Sequence, residues 1–420
     1  MSQDSAQRGN DCADRAAGPL ALETALAQLL AAAAPVAERE SVLTDQALRR
    51  VLAASVVSPT PIPGWDNSAM DGYALRTADV AEPGRRLQVG QRISAGATGV
   101  ALAPGTAARI FTGAPVPPGA DAVAVQEACE QSGDWVQVNA AVRAGDNIRR
   151  AGEEIAAGQE VLSAGTRLAP QHLALAAAVG AAELPVYRRV RVAIFSTGDE
   201  LVMPGQPLAP GQIYNSNRFQ LRALLETIGC EVLDLGIVAD RRQDTIEALT
   251  RGASAADLIL ASGGVSVGEE DHVKPAIEQL GRLELWRLAI RPGKPLAFGH
   301  VGGTPVIGSP GNPVALFIVF SLLVRPFILR RQGVCGDVMP SPIWGEAGFD
   351  WPRPDKRREF VRARLERQPS GAPRVHVYSS RSSAMLSSLV WAEGLAVIPE
   401  GQALAAGDPV QYIPFSELLA

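Results

Sequence analysis

Residues 259–271 read ILASGGVSVGEED. The apolar start has the texture of a buried strand, and Gly263 and Gly264 let backbone amides approach a ligand as phosphate loops do. Ser266 adds a hydroxyl to the same loop, so these three are substrate-binding candidates. Glu269, Glu270 and Asp271 follow at once. A carboxylate about 4 Å from a phosphate oxygen is repelled by about 4 kcal/mol at an effective dielectric of about 20. A hard divalent cation between the two reverses the sign. Mg2+ takes one or two carboxylates together with phosphate oxygens and waters. The loop therefore reads as half of a Mg2+–phosphate site. Glu200 in STGDEL (196–201), Asp240 in VAD (238–240) and Asp271 are its carboxylate candidates.

Other stretches supply positive charge. In SPGNP (309–313), Asn312 can cap a helix, Pro313 suits its first turn, and Gly311 leaves room for a ligand at the free amides. WRLAIRPGKP (286–295) carries Arg287 and Arg291, four apart and on one face if the segment is extended. Guanidinium forks bind oxyanions in bidentate fashion. Lys294 follows between Gly293 and Pro295. The lysines of the chain are Lys274, Lys294 and Lys356, so 39 − 3 = 36 basic residues are arginine, and a retained lysine stands out. DNSAMDGYA (66–74) holds Asp66 and Asp71, FTGAP (111–115) holds Thr112, and GDNIRRAGEE (145–154) mixes Arg149 and Arg150 with Glu153 and Glu154. FVRARLE places Arg362 and Arg364 on the polar face of a strand, and SSRSSAMLSS (379–388) is a Ser-rich loop able to take an anion. Each stretch alone also reads as a capped turn, a charged sheet edge or a linker. Four of the loops falling on one sheet edge argue for a site.

Several classes are excluded. The glycine order GGxxxG is neither the GxGxxG of a dinucleotide fold nor a P-loop, and no HExxH or HxH occurs. The net charge of −5 in 420 residues argues against a nucleic-acid binder. Cys12, Cys129, Cys230 and Cys335 are scattered with no CxxC pair, which fits a reducing, cytoplasmic setting. The run VALFIVFSLLV (314–324) is too short to span a bilayer and meets Arg325 and Pro326, so it reads as a buried helix and no membrane partner is expected.

The elements that must position these residues follow from periodicity. Residues 1–18 read as a polar flexible tail. Residues 19–57 read as helical, with TDQALRRVLAASVV a helix capped at Thr44 or Asp45, and helix-like sequence returns within 151–188. Between them, 58–150 reads as an inserted small β domain of short alternating runs. From 189 to 338, strands alternate with helices, which gives a doubly wound, mainly parallel α/β domain with ligands beyond the strand carboxyl ends. Residues 339–420 return to short strands, a final β domain.

The segments PGWDNSAMDGYA, RIFTGAPVPPGADAVAVQE, NIRRAGEE, FSTGDEL, SGGVSVGEED, LAIRPGKPLAFG and PGNPVALF occur in this order. Together they resemble the molybdopterin molybdenumtransferase family, over about residues 19 to 420. The resemblance implies a reaction: Mg2+-dependent insertion of molybdate into adenylylated molybdopterin, with release of AMP. It implies an elongated homodimer whose cleft joins the α/β domain of one subunit to the β insert of the other. It carries functional positions onto Asp71, Thr112, Glu200, Asp240, Asp271, Lys294, Arg362 and Ser383. This chain departs from the family pattern at Glu154, where aspartate is common, at Arg287 and Arg291, where lysine is common, and at Ser309, where leucine is usual. A molybdopterin adenylyltransferase, a possible partner enzyme, resembles residues 189–335 alone. The flanking segments favour the molybdenumtransferase.

Overall fold

The computed structural model describes residues 18–264, 272–369 and 371–419. Ser266 and Asp271 lie outside the described residues, as does the expected tail except Gly18. Helix α1 (Leu22–Ala31) buries Leu22, Ala25, Leu26 and Leu29, the i, i+3, i+4, i+7 stripe of a helix packed on one face. The second expected helix does not form. Thr44–Gln46 make a single 3₁₀ turn. Strands β1 (Arg39–Leu43) and β2 (Val56–Val57) pair antiparallel with residues 183–187 and 160–162. Leu52 and Val56 drop into a small core with Leu162, Leu168 and Val186. An extended chain reaches those distant partners, and this packing overrides the helical preference of its Ala and Leu residues.

The insert is built on β3 (Asn67–Ser68), β4 (Gly72–Leu75), β5 (Arg85–Ile93), β6 (Thr106–Ile110), β7 (Ala122–Val125), β8 (Cys129–Ser132), β9 (Trp135–Val138) and β10 (Ile148–Arg149). Six of these form a sheet in the order β7-β4-β6-β5-β9-β8, and β10 pairs with β3. Gly72 lies where a Cβ would stand 1.9 Å from the Ala124 carbonyl oxygen, so β4 and β7 can pair there only without a side chain. After β11 (Glu160–Leu162) come α2 (Pro170–Ala178) and β12 (Glu183–Tyr187), which returns to β1.

Next come β13 (Arg191–Thr197), β14 (Leu201–Val202), β15 (Ile213–Tyr214), α3 (Ser216–Thr227), β16 (Glu231–Val238), α4 (Arg242–Ala255), β17 (Leu258–Ser262) and α5 (Val273–Leu280). Strands β18 (Gly281–Arg287), β19 (Ile290–Arg291), β20 (Pro295–Val301) and β21 (Thr304–Ser309) lead to α6 (Pro313–Val319). The central sheet runs β16-β13-β17-β21-β20-β18. Its first four strands are parallel, and β20 and β18 complete it antiparallel. Alternate residues face two cores. Val192, Ile194, Leu258 and Leu260 meet α3 and α6, while Ala193, Phe195, Ile259 and Ala261 meet α4 and α5. Helices thus cover both faces, and the loops of interest collect at one edge.

Helix α6 runs on through a π turn (Phe320–Val324) into α7 (Arg325–Arg331), a long helix that continues past the apolar run. It is long and apolar enough to cross a membrane, yet it lies almost wholly buried within the protein. Arg325 is accommodated there by donating to the Val338 carbonyl at 3.0 Å. Strands β22 (Ile343–Ala347), β23 (Arg358–Glu366), β24 (Arg374–Val377), β25 (Gly394–Ile398) and β26 (Pro409–Pro414) close into a ring, because β25 pairs with both β26 and β23. Helix α8 (Ser387–Trp391) lies before β25, and α9 (Phe415–Leu419) follows β26.

Arg287 and Arg291 do not share one extended face. The strand breaks after Arg287: β18 belongs to the central sheet, and β19 pairs in parallel with β23 of the C-terminal sheet. The two residues between are tied as well, the Leu288 amide to Lys294 and the Ala289 amide to Leu20. One hydrophobic core spans α1, the α6–α7 helix, Ile290 and the C-terminal residues Phe360, Leu395 and Ile413.

Candidate active site

The loops after β16, β13, β17 and β21 stand side by side because those strands do. Asp199 and Asp240 latch the first two, each carboxylate accepting the other's backbone amide at 3.1 Å. Glu200, next in the chain, is exposed. Gly263, with φ of +90°, packs so closely that a Cβ would meet the Thr197 carbonyl oxygen at 2.8 Å. Its amide donates to Ser309 at 3.1 Å, and Gly311 faces it across the gap. Asn312 caps α6, its Oδ1 accepting from the amides of Val314 at 3.1 Å and Ala315 at 3.0 Å. Glu200, Asp240, Gly263, Gly264, Gly311 and Asn312 therefore all lie on one carboxyl edge. Among the described residues, no group of three or more His, Cys, Asp or Glu is gathered to hold a metal.

Beside that edge, a cleft of ≈ 400 Å³ opens between the central and C-terminal sheets. Arg291, Lys294 and Asn312 line it from one side, and Arg357, Arg381, Ser382 and Ser383 from the other. Arg291 donates to Asp355 at 3.1 Å, and Asp355 also takes two bonds from the Arg357 guanidinium, at 3.0 and 2.9 Å, and one from its amide at 3.0 Å. Arg357, with Arg291, holds the Asp355 carboxyl well below the ordinary carboxylate range. Arg381 donates to both oxygens of the buried Glu359, at 2.7 and 2.9 Å, and stacks on the Trp351 ring at 4.2 Å. The Lys294 ammonium makes no ion pair among the described residues. Four cations against two carboxylates, 4 − 2, leave two positive charges in the cleft.

Arg362 and Arg287 are not in this cleft's lining. Arg287 is exposed on β18. Arg362, expected on a polar strand face, is 1% exposed. The loop over 378–388 and α8 cover that face of β23. Arg362 holds the loop from beneath, donating to Ser388 Oγ at 2.9 Å and to the carbonyls of Ser380 at 2.9 Å and Ser382 at 2.8 Å. These carbonyls flank Arg381, so the buried arginine fixes the exposed one. Sequence reading missed Arg357 and Arg381. Their signal was the density of basic residues in KRREF (356–360) and the lone arginine of SSRSS.

Asp71 and Thr112 meet in the insert. Asp71 Oδ1 accepts from both the amide and the hydroxyl of Thr112, each at 2.8 Å. Those two bonds, with the nearby Arg109, hold the Asp71 carboxyl below its ordinary pKa. The insert's strands pair only with one another, so nothing in the sheet ladders carries Asp71 to the central edge.

Three family models match in chain order. They are the MoeA N-terminal region (domain I and II) over residues 20–180, a probable molybdopterin binding domain over 193–330, and the MoeA C-terminal region (domain IV) over 345–415. A molybdopterin molybdenumtransferase from Haemophilus influenzae is 36% identical over 402 residues, covering 95% of this chain and 100% of that protein. Molybdopterin molybdenumtransferase 2 of Mycobacterium tuberculosis is 40% identical over 400 residues, covering 92% and 96%. The crystal structure of a molybdopterin biosynthesis MoeA protein from Pyrococcus horikoshii OT3 superposes with a TM-score of 0.82 at 28% identity, covering 94% of this chain and 100% of that one.

Proposed function

The chain belongs to the molybdopterin molybdenumtransferase family, and on that premise we propose that it inserts molybdate into adenylylated molybdopterin with release of AMP, in the cytoplasm and as a homodimer. Water attacks the phosphoanhydride and AMP leaves, and molybdate gives up one oxo, released as water with the two thiol protons, as the two dithiolene sulfurs bind the metal. The observation that carries this reading is the cleft with two net positive charges adjoining the acid-bearing carboxyl edge. Molybdate is a tetrahedral dianion, and Arg291, Lys294, Arg357 and Arg381 match its charge. Ser382 and Ser383 offer hydroxyls at the same place.

The glycine-bearing edge suits the phosphate end of the substrate. Glu200 and Asp240 offer the hard oxygen donors that Mg2+ takes, and one or two protein carboxylates suffice for it. With Asp271 they would hold Mg2+, which would supply neutralisation of charge on the pyrophosphate link. Asp71 and Thr112 form a preorganised acid–hydroxyl pair with no ladder connecting them to this edge, which supports delivery by the insert of a second subunit.

The test is AMP release from adenylylated molybdopterin with Mg2+, with and without molybdate. Molybdate-dependent release is expected. ATP-dependent adenylylation of free molybdopterin instead would move the function to the adenylyltransferase reaction.

A further inference from the structure

The first turn of α3 carries more buried polarity than a helix start needs. Asn215 caps it by accepting from the Arg218 amide at 3.1 Å, and the same oxygen lies 3.4 Å from Ser196 Oγ near the end of β13. Asn217, two residues on, reaches further. Its Nδ2 donates to Ser262 Oγ at 2.9 Å, at the last residue of β17, and to the Gly311 carbonyl at 2.7 Å, in the loop after β21. One helical turn thus touches three neighbouring strand ends. Those ends display Gly263, Gly264, Gly311 and Asn312.

Folding alone explains this poorly. Asn215 is 1% exposed and Asn217 8%. Asn215 Nδ2, Asn217 Oδ1 and Gln220 Oε1 are buried and find no partner among the described residues. Each such atom is desolvated without return, and an apolar side chain in its place would avoid the penalty. Polarity kept against stability, and aimed at two ligand loops, has its use in setting those loops.

We propose that Asn217 is a positioning residue: its two N–H bonds fix the spacing between the Gly263–Gly264 loop and the Gly311–Asn312 loop, which together receive the phosphate-bearing end of the pterin substrate. The inference rests on the function proposed above. It adds a residue that touches no reacting atom yet decides how well the two loops are preorganised.

The experiment compares the full-length wild type with Asn217→Ala and Ser262→Ala. Amide hydrogen exchange of residues 262–264 and 309–312 is followed without ligand, and KM for adenylylated molybdopterin, KM for molybdate and kcat are measured. In Asn217→Ala both loops should exchange about tenfold faster, and KM for the pterin substrate should rise about tenfold. KM for molybdate should rise much less than KM for the pterin substrate, because the four cations Arg291, Lys294, Arg357 and Arg381 hang from other elements although Asn312 of the cleft lining sits on the loosened loop. Ser262→Ala removes one of the two bonds from the far side, so it should loosen 262–264 and raise the same KM by less. That variant also decides the matter should Asn217→Ala fail to fold. A lowered Tm with unchanged exchange and an unchanged pterin KM would overturn the proposal, since that is what a purely structural asparagine gives. A wild type that releases no AMP would remove the reading of function, while the exchange data would still decide whether Asn217 sets the two loops.

Discussion

Arg291 and Arg381 each serve two ends, charging the cleft while holding an acid in place, whereas Lys294 has only the first task. Their variants should differ accordingly. Lys294→Ala should raise KM for molybdate about tenfold or more and leave Tm within a degree or so, because no partner is stranded. Arg381→Ala should raise the same KM and also lower stability by about 1–3 kcal/mol, because buried Glu359 loses both bonds from Arg381 and keeps the Trp351 indole donor at 2.9 Å and the Arg291 guanidinium at 3.8 Å. Paired Tm and KM measurements separate the two, and equal Tm losses would contradict this division. Asp71 gives a pH prediction. Thr112 holds its carboxyl below the ordinary range. The interaction is therefore fully present above the unfolded value of about 3.9 and is lost only as pH falls through the lower folded value. Activity lost between about pH 5 and 7 should not belong to Asp71, and Thr112→Val should shift any acid limb below about pH 4.5 upward in a pH–rate profile.

At the scale of elements, the parallel strands were legible because each is a short apolar run bounded by glycine or a cap and alternating with a helical pattern, and length with those bounds identifies it. The glycine loops were legible for the same reason. Residues 44–57 were not. Their Ala and Leu content favours a helix, but Leu52 and Val56 are claimed by Leu162, Leu168 and Val186, more than a hundred residues away. Arg362 was misread for a similar cause: alternation places it on a face of β23, but only the covering loop decides whether that face is wet. Arg357 and Arg381 join the cleft through Asp355 and Glu359, contacts that no local spacing announces. Gly72 turns such a contact into a test. Gly72→Ala sets a methyl 1.9 Å from the Ala124 carbonyl oxygen, so β4 and β7 must part or shift. The insert should lose cooperative unfolding or fall in Tm by several degrees, and both Asp71 function and the nearby Thr112 contact should go with it. Normal Tm and activity would show that the strands can slide apart freely.

For the whole molecule, the division of residues between insert and α/β edge predicts complementation. In a two-fold dimer with shared clefts, a heterodimer of Asp71→Ala and Lys294→Ala subunits has one intact site and one doubly altered site. Free exchange makes half the dimers mixed, so at molybdate far below the raised KM of Lys294→Ala an equal mixture of the two impaired variants should regain about a quarter of wild-type AMP release. Proven exchange with no recovery would place each site within one chain.

The passage from β18 to β19 has a bearing on what the cleft admits. A hinge needs backbone that can rotate without tearing a ladder. Here the two residues between the sheets, Leu288 and Ala289, are both hydrogen-bonded, and the Ala289 carbonyl accepts from Arg358 at 2.9 Å. The jaws of the cleft are therefore tied at their root, and at that point rotation would cost three backbone hydrogen bonds. A cleft tied in this way sorts by charge and radius more than by closing around its anion. Tungstate, matching molybdate in both, should compete with it on nearly equal terms, while the smaller sulfate should be held loosely.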